Sequence, residues 1–526
     1  MSAVPDVTVV IPVYNTMPYL TACLDSMAAQ TIGADRFEVV AVDDGSTDGS
    51  DEELDRFAAE HPGLLRVVHQ ANSGGPAAPC NAALEIARGR YVFFIGSDDY
   101  FGPEALERMV DRADELGSDV LLCKMVGVNG RKAPDVFAED VADAPFPTPE
   151  LAWALSNTKL FRRELVESEG LRFPEGMAVC SDVPFTLRAM AKASKITIQS
   201  DYDSYYAVKR ETGGNLIYST GPVEWVHAAE QIVAAIEDLY GPGPEREALM
   251  YRVFSREIAK CVQPQFLTAD KSSREKFWEA VAGFCDAHLT EAIRERLPTE
   301  KRVRISLAQR REWDRLEDAI REDAPRFLIE DGRVFVRYSG FREGCPDSWY
   351  EATAERVIGR LAKGIDPVDL AWAGDRATGF FLEYWFRVPV AGLEPDAVGV
   401  SAERLVKAKG PAARRSVPAG EFHVHDVAAE VELRPDGDTT VLAARLPLGD
   451  LAGTAGRWSL RGHLAMGPFV YDLPLTAVKG PVERQGRPGN VSVDWGRKSL
   501  IVVHSSGKPS LKRRVANLVG LKPSRK

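Results

Sequence analysis

The chain has 526 residues, 45% of them hydrophobic and 27% charged, a balance that excludes wholesale disorder at a length too great for one ordinary core. A formal net charge of −12 excludes a whole-molecule attraction for nucleic acid, although Lys508 to Lys526 carries seven Lys or Arg residues and no acid. Seven cysteines without a CxxC pair fit a reducing compartment better than a disulfide framework. The opening MSAVPDVTVVIPVYN enters a strand without the basic and apolar regions of a signal peptide, and no window approaches ~18 uninterrupted apolar residues. These features predict a cytoplasmic protein with no transmembrane helix.

In chain order, Val7 to Val13 is a buried-strand run ended by Asn15 and Pro18, and Tyr19 to Gln30 repeats apolar residues at helical spacing. Phe37 to Val42 is a second β-rich run, followed by DDGSTDGS and a helix from about Asp51 to Glu60. Leu65 to His69 reads as a strand, Ala82 to Ala87 as part of a helix, and Tyr91 to Ile95 as a fourth strand. This rhythm predicts a parallel sheet with right-handed crossovers, in which ligands bind beyond the carboxyl ends of the strands. Tyr14, Asn15, Asp43 to Ser46, Asn72 to Gly75, Asp98 and Asp99 all fall at those ends. From Pro222 to Asp323 the pattern turns charged and helical, with the charge expected on a solvated face; from Phe327 short β runs alternate with Gly and Pro turns. The expected fold class is α/β: a Rossmann-like domain over residues 1–221, a helical linker over 222–324, an immunoglobulin-like β-sandwich region over 325–505 serving oligomerisation or acceptor binding, and a basic tail over 506–526.

Three stretches carry chemistry. In VVAVDDGSTDGS (Val39 to Ser50) a buried strand delivers two carboxylates to the sheet edge, where Asp44 can accept a base N–H; Ser46 and Asp48 are as readily helix caps. In YVFFIGSDDYF (Tyr91 to Phe101) an apolar strand ends in Asp98 and Asp99, and two adjacent like charges call for a positive partner such as a divalent cation on a diphosphate. In FPEGMAVCSDVPFTLRAM (Phe173 to Met190) Asp182 stands at a helix entrance, as a cap or as a general base.

The ordered set VVIPVYN, VDDGSTDGS, NSGGPAAPCNAAL, FIGSDDY, NTKLFRREL and SDVPF resembles the family 2 glycosyltransferases of GT-A fold over about residues 6 to 220. The resemblance implies inverting transfer from a nucleotide diphosphate sugar, UDP-linked, with Mn²⁺ or Mg²⁺ at the diphosphate. It implies that Pro12 and Tyr14 flank the base, Asp44 binds it, Asn72 faces the nucleotide, Asp98 and Asp99 hold ribose and metal, and Asp182 is the base. Arg210, in YYAVKRETGGN, matches a segment that closes over the diphosphate, with Lys209 beside it. This chain departs from the family at Gly96, Ser181 and Cys80, where an Asp, an acid and an Arg are common; the division of ribose and metal between Asp98 and Asp99 stays open. The layout as a whole is similar to the poly(ribitol phosphate) N-acetylglucosaminyltransferases of wall teichoic acid, which implies a polymeric envelope acceptor and homo-oligomers, commonly trimers.

The rival readings are a catalytically degenerate carbohydrate-binding protein, a capsular or exopolysaccharide glycosyltransferase, and a nucleotidyltransferase, which would need a Gly-rich basic triphosphate loop that the sequence lacks. His423 and His425 with Asp426 read as a strand face rather than a metal site, and Trp349, Trp385 and Trp458 as sandwich core rather than a sugar platform. The tail spaces Leu511, Val515, Leu518 and Leu521 helically beside Lys512, Arg513 and Arg514, which suits either peripheral contact with an anionic membrane or a solvated terminus.

Overall fold

The computed structural model describes residues 4–133, 138–211, 221–322, 325–352, 361, 364–375, 379–394, 397–404, 417–418, 427–448, 455–466, 469–475, 491–495 and 501–506. His423, His425, Asp426 and the basic tail from 507 lie outside the described residues. Two compact units are present: residues 1–297 with 308–311, and residues 298–307 with 312–526.

The first unit is built on a seven-stranded sheet. Its elements are β1 (Val7–Val13), α1 (Tyr19–Ala28), β2 (Phe37–Asp43), α2 (Ser50–Glu60), β3 (Leu65–His69), α3 (Ala77–Ile86), β4 (Tyr91–Phe94), β5 (Tyr100–Phe101), α4 (Ala105–Leu116), β6 (Val120–Cys123), β7 (Met125–Val128), β8 (Leu160–Arg162), α5 (Arg163–Ser168), α6 (Asp182–Lys192), β9 (Ile196–Gln199) and β10 (Tyr205–Val208). The strand order is β3-β2-β1-β4-β8-β6-β9. β1 pairs in parallel with β2 (Val7 opposite Phe37, Val13 opposite Asp43) and with β4, as the sequence rhythm predicts. β8 runs antiparallel to both β4 and β6, a departure from the all-parallel expectation. β1 and β2 are β-branched and buried on both faces because helices cover both sides of a parallel sheet. A smaller sheet, β5-β10-β7, stands beyond the end of β4. α3 begins at Ala77, five residues before the apolar run at Ala82 that marked it in the sequence.

The chain moves from β1 outward through β2 and β3, then returns to the other side of β1 as β4. That reversal opens the crevice where strand ends of opposite winding diverge. α6 is anchored beside it by aromatic packing: Phe185 stacks on Phe173 at 4.2 Å and meets Phe161 and Phe94 edge-on at 5.4 and 5.5 Å.

Helices α7 (Pro222–Leu239) and α8 (Pro244–Val253) follow, with a single π-helical turn at Phe254–Ile258 and further helices at Lys271–His288, Glu291–Arg296, Thr299–Gln309 and Trp313–Arg321. The expectation of a purely solvated charged face fails here. Arg252, Glu257, Arg274 and Arg294 are buried in the first unit, and Arg302 and Arg304 in the second. Packing desolvates them, and their heads are met by partners: Arg252 by Glu257, Arg274 by the Leu267 and Ala269 carbonyls, Arg302 by the Trp349 carbonyl. Among the described residues no helix is long and apolar enough to cross a membrane.

Beyond its helical start, the second unit is built mainly from antiparallel sheets, with Phe327 and Leu328 pairing in parallel with Val390 and Ala391. Asp366–Asp375, Gly379–Val388, Thr439–Pro447 and Glu430–Asp436 form one sheet in that order, and Val398–Arg404, Ala455–Met466 and Phe469–Pro474 lie in another. Leu382, Tyr384, Phe386, Leu442, Ala444 and Leu446 alternate inward, the period-2 signature of a sandwich. Trp349 and Trp458 are buried as expected, whereas Trp385 sits out of phase with Tyr384 and Phe386 on the half-buried outer face.

Phe185→Ala is expected to lower unfolding stability by about 3–5 kcal/mol, because a stacked, fully buried ring leaves a cavity between α6 and the sheet. Chemical denaturation of the two proteins checks this.

Candidate active site

Four loops meet at the carboxyl edge of the sheet, each fixed by an acid that needs donors. Asp43, at the end of β2, accepts from the Ser46 amide at 3.0 Å and lies 3.2 Å from His69 Nδ1. That contact with Asp43 raises the His69 imidazole above its usual range. Asp44 is buried and reaches across to the loop after β3, accepting from Gln70 Nε2 at 2.6 Å, the Ser73 amide at 3.1 Å and Ser73 Oγ at 2.9 Å. Between these loops the left-handed Gly45 (φ +76°) is needed, because a Cβ there would lie 2.9 Å from the Asn72 amide nitrogen. Asp48 takes the Ser50 amide and hydroxyl at 3.1 and 2.6 Å at the start of α2, and with its other oxygen the Met17 amide at 2.9 Å in the loop after β1.

Asn15, at φ 48° after β1, is the hub of this edge. Its Oδ1 accepts from the Thr47 amide at 2.8 Å, its amide donates to Ser46 Oγ at 3.1 Å, and its carbonyl accepts from Arg210 Nη1 at 3.3 Å. Tyr14 beside it is 47% exposed, and Pro12 is half-buried. Asn72 is exposed at the same edge, its Oδ1 occupied by the Gly74 amide at 3.0 Å.

The two acids after β4 part company. Asp98 is partly exposed and pairs with Arg210 Nε at 2.8 Å. Asp99 is 3% exposed and accepts from Tyr205 Oη at 2.5 Å, the Val208 amide at 2.6 Å and Arg131 Nη1 at 3.2 Å. Burial first, and the charge of Asp98 second, push the Asp99 carboxyl up to about 6. Asp98, Asp99 and Arg210 are legible in the sequence, whereas Arg131, just after the turn that ends β7, and Tyr205, at the start of β10, have no local signature. Among the described residues no group of three or more His, Cys, Asp and Glu is arranged around a metal position. The pair nevertheless suits a hard cation: its donors are carboxylate oxygens, and Gly96 keeps the space before them open, since a Cβ there would sit 3.0 Å from Asp99 Oδ2 and 3.1 Å from Asp98 Oδ1.

Asp182 opens α6. Ser181, at the N-cap position, makes no side-chain capping hydrogen bond, and its buried Oγ has no partner among the described residues. The loop before it is tied back to the nucleotide edge: Asn81 of α3 exchanges two 2.9 Å hydrogen bonds with the Phe173 backbone, and Gly75 packs against the Met177 carbonyl. Burial raises the Asp182 carboxyl above the usual carboxylate range, while Arg256, Arg252 and Lys159 pull it back. Lys159 is 2% exposed, donates to the Ser156 carbonyl at 2.6 Å, and is itself pushed down to about 8 by burial. Lys159 falls in the NTKLFRREL stretch, where nothing local marks it as a neighbour of Asp182. Cys80, buried on α3, has its thiol pushed up by burial and by Asp182, which leaves it inert.

Comparison with known proteins agrees with this arrangement. Residues 8–176 match the glycosyl transferase family 2 domain, and residues 222–320 match the glycosyl transferase TarS linker domain. The chain therefore carries a family 2 transferase domain followed by a TarS linker domain. It is 37% identical over 232 residues to a poly(ribitol-phosphate) beta-glucosyltransferase of Bacillus spizizenii, covering 44% of this chain and 37% of that protein. It is 31% identical over 346 residues to the poly(ribitol-phosphate) beta-N-acetylglucosaminyltransferase TarS of Staphylococcus aureus, covering 64% of this chain and 59% of that one. The chain thus spans less than two thirds of the length of either relative. A crystal structure of S. aureus TarS 1–349 in complex with UDP-GlcNAc superposes with a TM-score of 0.56 at 29% identity, over 66% of this chain and 99% of that one. The transferase sheet is of the GT-A type, and TarS is a homologue.

Tyr205→Phe removes the shortest donor to a buried carboxylate. It is expected to cost about 1–3 kcal/mol of unfolding stability, read by denaturation.

Proposed function

We propose that this chain is an inverting glycosyltransferase that moves a sugar from a UDP-sugar to a hydroxyl of a poly(polyol phosphate) envelope polymer. The observation that carries the reading is the environment of Asp182: a carboxylate at the crevice edge, raised by burial yet ringed by the cations Arg256, Arg252 and Lys159. Such a group has a higher proton affinity than an ordinary Asp, which is what a general base requires.

On this reading the exposed ring of Tyr14 and the adjacent Pro12 flank the base, with Asn72 at the same edge. Asp44 accepts the base N–H: a carboxylate has about four lone-pair sites, and its three internal donors leave room for one more. Asp98 is the residue that would hold Mn²⁺ or Mg²⁺, with Asp99 behind it as the internal anchor of Arg131 and Tyr205. When bound, the ion would offset negative charge on the departing diphosphate. Asp182 takes the proton from the acceptor hydroxyl, the oxygen forms its bond to the anomeric carbon, and the bond to the diphosphate breaks on the opposite face. The nucleoside diphosphate leaves with the electron pair. Arg210, already turned toward Asp98, is placed to pair with the phosphates.

A polyanionic acceptor is supported by the names of both relatives and by charge. Arg256 is substantially exposed next to Asp182, and Lys260 lies beside it. UDP-GlcNAc, present in the TarS 1–349 crystal, is the first donor to test, with UDP-glucose second. The reaction takes place where nucleotide sugars are made, in the cytoplasm, with the second unit as the candidate site of self-association.

Asp182→Asn is expected to lower kcat for UDP release by about 10²–10⁴-fold with poly(ribitol phosphate) as acceptor, while donor affinity measured calorimetrically stays unchanged. Undiminished turnover in that variant would remove Asp182 from the chemistry. Absence of turnover in the wild type with every nucleotide sugar would favour a binding protein.

A further inference from the structure

The segment that leads into β8 turns an aromatic side chain outward at the rim of the crevice. β8 runs antiparallel to β4, with Leu160 opposite Phe93 and Arg162 opposite Tyr91. The residues before Leu160 therefore emerge at the carboxyl edge of β4, the edge that carries Asp98. They are pinned there: Lys159 Nζ donates to the Ser156 carbonyl at 2.6 Å, and Phe161 packs edge-on against Phe185 of α6 at 5.4 Å. Just upstream, a 3₁₀ turn at Leu151–Trp153 buries Leu151 and Ala152 and leaves Trp153 36% exposed. Trp225 and Trp278 of the same unit are, by contrast, buried.

The linker supplies two further side chains. Tyr251, half-buried on α8, meets Trp153 edge-on with ring centroids 6.1 Å apart. Over the Tyr251 ring, 4.7 Å from its centroid, lies the guanidinium of Arg296, the last residue of the helix Glu291–Arg296. Arg163, Arg172, Arg188 and Arg246 of the same unit each hold a carboxylate. Arg296 is exposed, holds a ring instead, and forms no ion pair among the described residues. A guanidinium over a ring is held by the ring face and keeps its N–H donors for an anion. Arg256, 42% exposed, follows on the π-helical turn that continues α8.

We propose that Trp153, Tyr251 and Arg296 form a docking subsite for the acceptor, a phosphodiester-linked polyol chain held at the rim while one of its hydroxyls enters the crevice. The proposal rests on the reading of the acceptor as a poly(polyol phosphate). A phosphate oxygen accepts from the Arg296 guanidinium, and the carbon skeleton of the adjoining polyol lies against the Trp153 and Tyr251 rings. Charge selects this occupant. On a chain of net charge −12, an arginine without an acid is complementary to an anion. Trp, Tyr and Arg are also the side chains that concentrate binding energy at interfaces, each joining a large rigid surface to a polar tip. None of the three needs to touch the reacting atoms. A subsite of this kind holds the acceptor equally before and during transfer, so it acts on acceptor KM and leaves kcat alone.

The test measures binding of poly(ribitol phosphate) to the full chain by calorimetry at several salt concentrations, with UDP binding as the control. In Arg296→Gln the polymer Kd is expected to rise about tenfold. The slope of log Kd against log salt should fall by about one, because one phosphate contact is lost. Arg296→Lys keeps the charge and should keep the slope. In Trp153→Ala the Kd should rise at least about fivefold with the slope unchanged. UDP affinity and kcat stay at wild-type values in all three variants, and acceptor KM follows Kd. A cluster that serves packing alone would lower the thermal midpoint and leave Kd and slope untouched, which overturns the proposal. Should Trp153→Ala fail to fold, the slopes of the two Arg296 variants decide the case. Wild type and variants binding the polymer alike overturns the subsite and leaves the acceptor reading standing. Failure of the wild type to bind either poly(ribitol phosphate) or poly(glycerol phosphate) overturns both.

Discussion

A carboxylate taken out of water must find donors, find cations, or give up its charge. The edge of the transferase sheet is organised by that demand. Asp43, Asp44 and Asp99 stand at or just beyond strand ends, are nearly inaccessible, and each recruits a different segment. Asp43 orders its own turn through the Ser46 amide. Asp44 captures the Gln70 to Ser73 loop. Asp99 binds Tyr205, Val208 and Arg131, and so fastens the small sheet to the end of β4. Asp98, the acid left partly accessible, is the one paired with a side chain next to a loop boundary, Arg210. The buried acids build the frame, and Asp98 is the acid left accessible at the edge.

Asp182 meets the same demand in another way. Its burial is offset by the charges of Arg256 and Arg252 in the linker and of Lys159 in the transferase domain, and by a backbone amide. A field of this kind leaves the carboxylate free to accept a proton, which three short hydrogen bonds would not. It also brings linker charges to bear on a residue of the transferase domain. The segment matched as a TarS linker contributes the buried Arg252–Glu257 pair, and its only π-helical turn among the described residues carries Glu257 to that position.

Much of the frame was legible in the chain itself. β1 and β2 announce themselves because a strand buried on both faces reads as a short, largely apolar run rich in Val and Ile, as VTVVIPV and FEVVAVD are. Acids that follow such runs abruptly lie at the carboxyl edge, so the sequence alone positions Asp44, Asp98 and Asp99 there. The antiparallel entry of β8 was not legible, since Leu160–Arg162 is too short to carry a periodicity. Nor was the outward phase of Trp385, which depends on the register with Thr439–Pro447.

By itself, then, the sequence determined the strands, the acids at their ends and the helix that Asp182 opens, because these follow from patterns a few residues long. Only the tertiary structure decided which charges are desolvated and what meets them. Tyr205 reaches Asp99 across a separation of 106 residues, Arg210 reaches Asp98 across 112, and the linker arginines come to Asp182 from about seventy residues downstream. A charged side chain looks the same in sequence whether solvated or buried. Its neighbours along the chain say nothing of the dielectric around it, and that is set by packing alone.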